Sequence, residues 1–269
     1  MKSNGIYINK KLYTQIMTTE IETYLDSLPE DILTINICCK GLTSLPDLTR
    51  FKNLTKLHCY NNNKLNSLPT LPQNLEKLIC FNNQLTSLPT LPKNLKELRC
   101  YNNQLTSLPT LPKNLKKLLC YNNQLTSLPT LPQKLEILAC SVNELTSLPT
   151  LPQKLEILAC FKNELTSLPT LPQKLEILAC SDNQLTSLPT LPQNLKELYC
   201  LKNQLTSLPT LPQNLTKLNC SDNPIYEIVN NDSLFQTKQN IQTLNNFRHL
   251  YYCLQFKQQL RKWLGYGKK

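Results

Sequence analysis

Residues 75–94 read LEKLICFNNQLTSLPTLPKN, and near copies of this stretch recur every 20 residues through the middle of the 269-residue chain. Regular copies begin at Leu75, Leu95, Leu115, Leu135, Leu155, Leu175, Leu195 and Leu215, and two less regular copies begin at Ile32 and Leu54. A short fixed period is typical of a solenoid, in which each unit buries its apolar side chains against its neighbours. The sequence therefore predicts ten stacked units.

Each unit divides into a strand half and an extended half. In the strand half, Leu78 and Cys80 alternate with outward residues, which is the period-two pattern of a short strand. The other half holds Pro89 and Pro92 and is too short for a regular helix. The predicted fold class is a β-rich solenoid: a curved parallel sheet of about ten short strands with an extended or polyproline-like convex side. Three leucines of the convex side are expected in the core: Leu85, Leu88 and Leu91.

An asparagine occupies the same place in every regular unit, from Asn83 to Asn223. Its amide offers two donors and one acceptor, so it can satisfy backbone groups where the chain leaves the strand. We interpret this row as structural, because catalytic asparagines are not repeated along a solenoid.

The unit pattern L-x-x-L-x-C-x-x-N-x-L resembles the leucine-rich repeat family, with cysteine in the third apolar slot. The following T-S-L-P-T-L-P resembles the short 20-residue LPxLP subclass found in effectors that enteric bacteria deliver into host cells. The near-identical copies and the Asn/Lys-rich flanks also resemble leucine-rich repeat proteins of giant DNA viruses. This resemblance covers roughly residues 28–226. It implies the fold, and it implies a host protein as partner and the host cytoplasm as location.

The two ends of an open solenoid need covers, because they expose the core and a sheet edge. Apolar residues at roughly helical spacing occur before the array and again after Asp232 or Ser233, either of which suits a helix N-cap. We predict an N-terminal helical cap over 1–31, the repeat array over 32–226, and a C-terminal helical cap with a basic tail over 227–269.

Eight of the twelve cysteines lie at 20-residue intervals, from Cys80 to Cys220. A metal channel and a disulfide ladder are alternatives. However, neighbouring Cβ atoms at a strand spacing of about 4.8 Å exceed the ~3.8 Å that disulfides prefer, and a straight line of thiols does not surround zinc. We predict that these thiols pack as small apolar side chains. Cys38, Cys39 and Cys253 have no assigned role.

The composition argues against catalysis. No glycine lies between Gly41 and Gly265, which excludes a glycine-rich phosphate loop there. Of the two histidines, His58 and His249, the first precedes Cys59, but adjacent strand residues point to opposite faces. The effectors that the repeats resemble can carry a large C-terminal ubiquitin-ligase domain, and we expect the residues after the array to be too few for one. We predict no enzymatic activity, no metal site and no cofactor.

Function is expected on the outward side of the sheet. Its first half places aromatic residues beside basic ones, and its middle places isoleucines over alanines. Aromatic, arginine and contiguous apolar side chains are typical of protein interfaces. The predicted partner-binding residues are Lys56, Tyr60, Lys77, Phe81, Arg99, Tyr101, Lys117, Tyr121, Ile137, Ile157, Phe161, Ile177 and Tyr199.

A protein is the expected partner. One alternative is single-stranded nucleic acid, because the formal net charge is +11 and basic and aromatic residues interleave. Another is a duplicated array without a dedicated ligand, because LEILAC occurs three times. Pairing of two copies stays open. Neither a membrane span nor a secretory signal is visible, so we expect a cytoplasmic protein.

Overall fold

The computed structural model describes residues 20–226 and 233–246. Its ten strands form one parallel sheet in which each strand pairs with its neighbours in chain order, so the predicted fold class is confirmed. The described residues also include helical segments α1, over residues 20–26, and α2, over residues 234–246. The strands are β1 (Thr34–Asn36), β2 (Lys56–His58), β3 (Lys77–Ile79), β4 (Glu97–Arg99), β5 (Lys117–Leu119), β6 (Ile137–Ala139), β7 (Ile157–Ala159), β8 (Ile177–Ala179), β9 (Glu197–Tyr199) and β10 (Lys217–Asn219).

The core is a set of columns, because the 20-residue period brings the same side chain to the same height in every turn. Leu78 pairs in register with Leu57 on one side and Leu98 on the other, and all three are 0% exposed. The convex side contributes its leucines as predicted: Leu85, Leu88 and Leu91 are at most 9% exposed. A turn then returns the chain to the next strand.

The cysteines from Cys59 to Cys220 form one of these columns and are at most 3% exposed. Burial raises the pKa of the Cys100 thiol to about 12, because a thiolate is poorly solvated in the core. These side chains therefore pack as small apolar groups, as predicted. Cys39 is exposed at the start of the array, and Cys253 lies outside the described residues.

The asparagine row joins neighbouring units, which confirms its structural role. The Nδ2 atom of Asn143 donates to the carbonyl oxygens of Cys120 and Cys140 at 3.2 and 3.1 Å. Its Oδ1 atom accepts from the backbone N–H of Leu125 at 3.0 Å. One amide thus satisfies buried backbone groups of two successive turns.

A second asparagine row lies one residue earlier in the first units. Asn61, Asn82, Asn102 and Asn122 have φ angles of 56°, 54°, 54° and 53°, in the left-handed region that asparagine tolerates better than most residues. Their amides form a chain: each Nδ2 donates to the preceding Oδ1, at 2.7, 2.6 and 2.9 Å. The next unit holds Val142 there, at φ 54°.

Both helical segments pack against the ends of the array. In α1, Ile21 and Leu25 are 5% and 2% exposed and belong to the main core. In α2, Ile241 is 2% exposed, and the Lys238 Nζ atom donates to the carbonyl oxygen of Leu215 at 2.8 Å. Ser233 receives a 3.5 Å hydrogen bond from a backbone N–H in the first turn, as an N-cap does. Residues 27–31 belong to the predicted N-terminal cap but are not helical, and residues 1–19, 227–232 and 247–269 lie outside the described part of the chain.

Replacing Asn143 with alanine is expected to lower the free energy of unfolding by about 1–3 kcal/mol, because the backbone N–H of Leu125 loses its acceptor and two carbonyl oxygens each lose one of their asparagine donors. Urea denaturation followed by circular dichroism measures this. The matched control is Gln124→Ala on the exposed surface, for which we expect a change within about 0.5 kcal/mol. An equal effect of the two substitutions would contradict the structural role of the row.

Replacing Val142 with asparagine is expected to raise the free energy of unfolding by about 0.5–1 kcal/mol. A β-branched residue is strained at positive φ, and the new amide can donate to the Asn122 side chain. Val142→Thr is the control, because it keeps the branching and changes only polarity. Equal stability of the two variants in the same urea experiment would show that the left-handed backbone is not what limits this unit.

Candidate functional site

The outward side chains of the strands form one surface, which we call the sheet face. It has three rows: the first residue of each strand, the third residue, and the residue two positions after the strand. Because the strands pair without slippage, each row is straight across successive turns. All thirteen predicted binding residues lie in these rows: Lys56, Lys77, Lys117, Ile137, Ile157 and Ile177 in the first; Arg99 and Tyr199 in the second; Tyr60, Phe81, Tyr101, Tyr121 and Phe161 in the third.

Four rings of the third row form a continuous stack. Centroid distances are 4.5 Å for Tyr60–Phe81, 4.4 Å for Phe81–Tyr101 and 4.3 Å for Tyr101–Tyr121, with interplanar angles of 11°, 7° and 10°. The stack follows from the strand spacing of about 4.8 Å, which is close to the distance at which parallel rings pack. Both faces of each inner ring are therefore covered by its neighbours.

Two tyrosines of the stack, Tyr60 and Tyr121, have raised pKa values. The pKa of Tyr121 is raised to about 12, chiefly by burial and then by the neighbouring Tyr101 hydroxyl. The pKa of Tyr60 is raised mainly by a hydrogen bond with Cys38. The hydroxyls therefore stay protonated at neutral pH and present hydrogen-bonding groups without charge.

A charged cluster lies beside the first part of the stack. Glu97 accepts from Lys77 at 3.0 Å and also from Arg99. Burial raises the pKa of Glu97, but the hydrogen bonds and charges of these two cations outweigh it, so the pKa lies below its ordinary value. Lys56 and Lys117 flank the cluster in the first row and are exposed. Two cations thus share one carboxylate, and Lys117 lies next to it in the first row.

His58 lies in the same region of the sheet face. The sequence assigned it no catalytic role, because its neighbour Cys59 points to the opposite face of the strand. Its ring centroid is 6.5 Å from that of Tyr60, and its Nε2 atom is buried without a hydrogen-bond partner among the described residues. Burial lowers the pKa of His58, and the charges of Lys77 and Lys56 lower it further. The imidazole is therefore neutral at pH 7.

The middle of the sheet face is apolar. Ile137, Ile157 and Ile177 pair in register and are half-buried, because each covers the flank of the next. In the third row, Ser141 follows Tyr121 and interrupts the aromatic residues. It is 1% exposed, and its Oγ atom has no hydrogen-bond partner in the described part of the chain.

The far end of the sheet face forms a separate polar group. The Tyr199 hydroxyl donates to Glu197 at 2.9 Å, and Lys217 donates to the other oxygen of this carboxylate at 2.8 Å. These hydrogen bonds hold the pKa of Glu197 below its ordinary value, with that from Lys217 the largest cause. Tyr199 lies on the strand next to that of Ile177, and its hydroxyl already donates a hydrogen bond to Glu197.

Comparison with known proteins agrees with this architecture. The family model described as leucine-rich repeats (2 copies) matches residues 73–113. YopM from Yersinia enterocolitica WA-314 is 37% identical over 74% of this chain and has a TM-score of 0.67, and the match spans 48% of the YopM chain. No curated protein matches.

Two further solved structures share the fold. The functional domain of InlJ from Listeria monocytogenes, described as including a cysteine ladder, is 28% identical over 70% of this chain and 48% of its own, with a TM-score of 0.55. The ectodomain of the Arabidopsis thaliana receptor kinase GASSHO1, solved in complex with CASPARIAN STRIP INTEGRITY FACTOR 2, is 25% identical over 73% of this chain and 28% of its own, with a TM-score of 0.53. Among the described residues, no helix has the length and apolar character that crossing a bilayer requires.

The His58 signal in a proton NMR titration is expected to have a midpoint below 6.5, the ordinary pKa of histidine. The Lys77→Gln variant should raise this midpoint by removing a nearby positive charge, whereas Lys93→Gln, away from the sheet face, should not. A His249→Gln background leaves a single histidine to observe. Because the unfolded chain takes up the proton first, the free energy of unfolding should fall as the pH drops below about 6.5. A midpoint above 6.5 would show that His58 is solvated.

Proposed function

Because the chain is a leucine-rich repeat protein, we propose that its sheet face binds another protein and that binding, without catalysis, is its activity. Proteins with this fold generally mediate protein–protein interaction. The GASSHO1 ectodomain, solved with a bound partner, is one related example. The proposal concerns the part of the chain with repeats, since YopM is about twice as long as the matched region.

The observation that carries this proposal is the ordered juxtaposition of three kinds of side chain on one face. The stacked aromatic rings and the cation cluster lie side by side over β2–β5. The apolar strip follows directly over β6–β8, without an intervening loop. Tyrosine and arginine are enriched among residues that dominate binding energy. Because the rings already hold one another in place, a partner would order few side chains on binding.

Single-stranded nucleic acid is the second candidate, favoured by the net charge of +11. Its main requirement is free aromatic faces on which bases stack. In the stack from Tyr60 to Tyr121, the inner ring faces are covered by other rings. We therefore favour the protein partner.

We further propose that the partner belongs to a host cell and is met in its cytoplasm. The likeness to YopM supports this, together with the T-S-L-P-T-L-P segment that resembles bacterial effectors. We also propose that residues 1–31 and 227–269 serve as caps of the array. The burial of Ile21, Leu25 and Ile241 against its ends supports capping by the parts of these segments that the structure describes. A viral origin stays a prediction from the sequence.

A pull-down from nuclease-treated host cytosol, at low and at moderate salt, tests the proposal. We expect wild type to retain a protein at both salt concentrations, and a Tyr101→Glu/Ile157→Glu variant to lose it, because the added charges disrupt the apolar part of the interface.

The matched control is Thr110→Glu/Gln133→Glu, which adds the same charge at exposed positions outside the sheet face. It should retain the protein. Loss in both variants would point to a general charge effect, and retention in both would place binding elsewhere or reflect no dedicated partner. Material that is recovered only without nuclease, and that fades with salt, would favour nucleic acid.

A further inference from the structure

We propose that the partner presents an extended segment in two parts, with acidic side chains over β2–β5 and apolar side chains over β6–β8. This inference rests on the proposed protein-binding function and specifies the chemistry and orientation of the ligand. It follows from the order of charges along the sheet face and from the apolar strip that continues it.

The charged part favours carboxylates. Lys77 and Arg99 share Glu97, so the cluster retains positive charge even after this internal pairing. Lys56 and Lys117, at the two ends of the same stretch, are exposed, and no ion pair to them is found among the described residues. Acidic side chains of a partner would meet these two cations without displacing any existing pair.

The apolar part begins directly after this charge. The first row changes from Lys117 to Ile137 between one strand and the next, and the pairing of β5 with β6 places these two residues side by side. Ile157 and Ile177 continue the row, with alanines beside them in the second row. A ligand that lies across the strands therefore passes from a cationic to an apolar environment within one strand spacing.

The dimensions set the length of the segment. From β2 to β8 there are six strand spacings. At about 4.8 Å each, they span roughly 29 Å, which an extended chain at about 3.3 Å per residue covers with roughly nine residues. A short linear segment is therefore sufficient, with its acidic half toward the N-terminal end of the array.

The test uses the full chain as bait for a displayed library of random 16-residue peptides. We expect enriched peptides to contain an acidic cluster and an aliphatic or aromatic cluster. For a synthetic copy of the most enriched peptide, fluorescence anisotropy should show roughly tenfold weaker binding to Lys56→Glu/Lys117→Glu at low salt. The control, Lys93→Glu/Lys113→Glu, carries the same charge change at exposed positions outside the sheet face and should bind within about twofold.

A further variant examines the apolar half. Ile157→Ser should weaken binding while leaving the salt dependence unchanged, because it removes apolar contact and no charge. An unchanged affinity would show that the partner does not use the apolar strip.

The outcomes separate this inference from the function on which it rests. Peptides that lack acidic bias but still require Tyr101 or Ile157 would overturn the two-part segment and retain the sheet face as a binding surface. Peptides that bind wild type and all sheet-face variants equally would contradict both the two-part segment and the proposed binding function of the sheet face. A library that enriches nothing would overturn the two-part segment, and the cytosol pull-down would still test protein binding. Salt-sensitive binding of oligo(dT), lost in Lys56→Glu/Lys117→Glu, would overturn it in favour of nucleic acid.

Discussion

The bridging asparagine amide is the interaction on which the rest of the structure depends. Where the chain leaves each strand, the amide of Asn143 or its equivalents donates to a carbonyl oxygen of its own turn and to one of the preceding turn, and it accepts from a backbone N–H of the preceding turn. Together with the hydrogen bonds between strands, these bonds hold each turn at a fixed distance from its neighbour. The in-register sheet, the straight core columns and the straight rows of the outer surface all require that fixed distance.

The same regularity produces the aromatic stack. Rings on successive strands reach stacking distance because the backbone spacing, set by hydrogen bonds between strands, is close to the packing distance of aromatic rings. A different residue type at one position of a row therefore changes the chemistry of the sheet face at that position. The change from Lys117 to Ile137 turns a cationic surface into an apolar one without altering the fold.

The fold was largely predictable from sequence, because period, strand alternation and the Asn83 row each express a local requirement that every unit repeats. The membership of the sheet face was predictable for the same reason. The features that could not be predicted from the sequence depend on which residues become neighbours in the folded chain. Asn102 resembles an ordinary surface residue until its left-handed backbone is seen, and the burial of His58 and Ser141 depends on which side chains cover them. The covering of ring faces likewise follows from side-chain conformation.

The reactivity of the buried cysteines is expected to report the local unfolding of individual turns. A thiol reacts as thiolate, and burial raises the pKa of Cys100 and Cys180 to about 12, so each folded turn protects its sulfur both sterically and electrostatically. Because each turn contacts only its neighbours, fraying should proceed inward from an end and unmask the sulfurs one after another. Nine of the ten turns thus carry one buried thiol at the same position, from Cys59 to Cys220, and the first turn has Ile37 there. The rate at which each thiol becomes reactive would report the opening of its own turn.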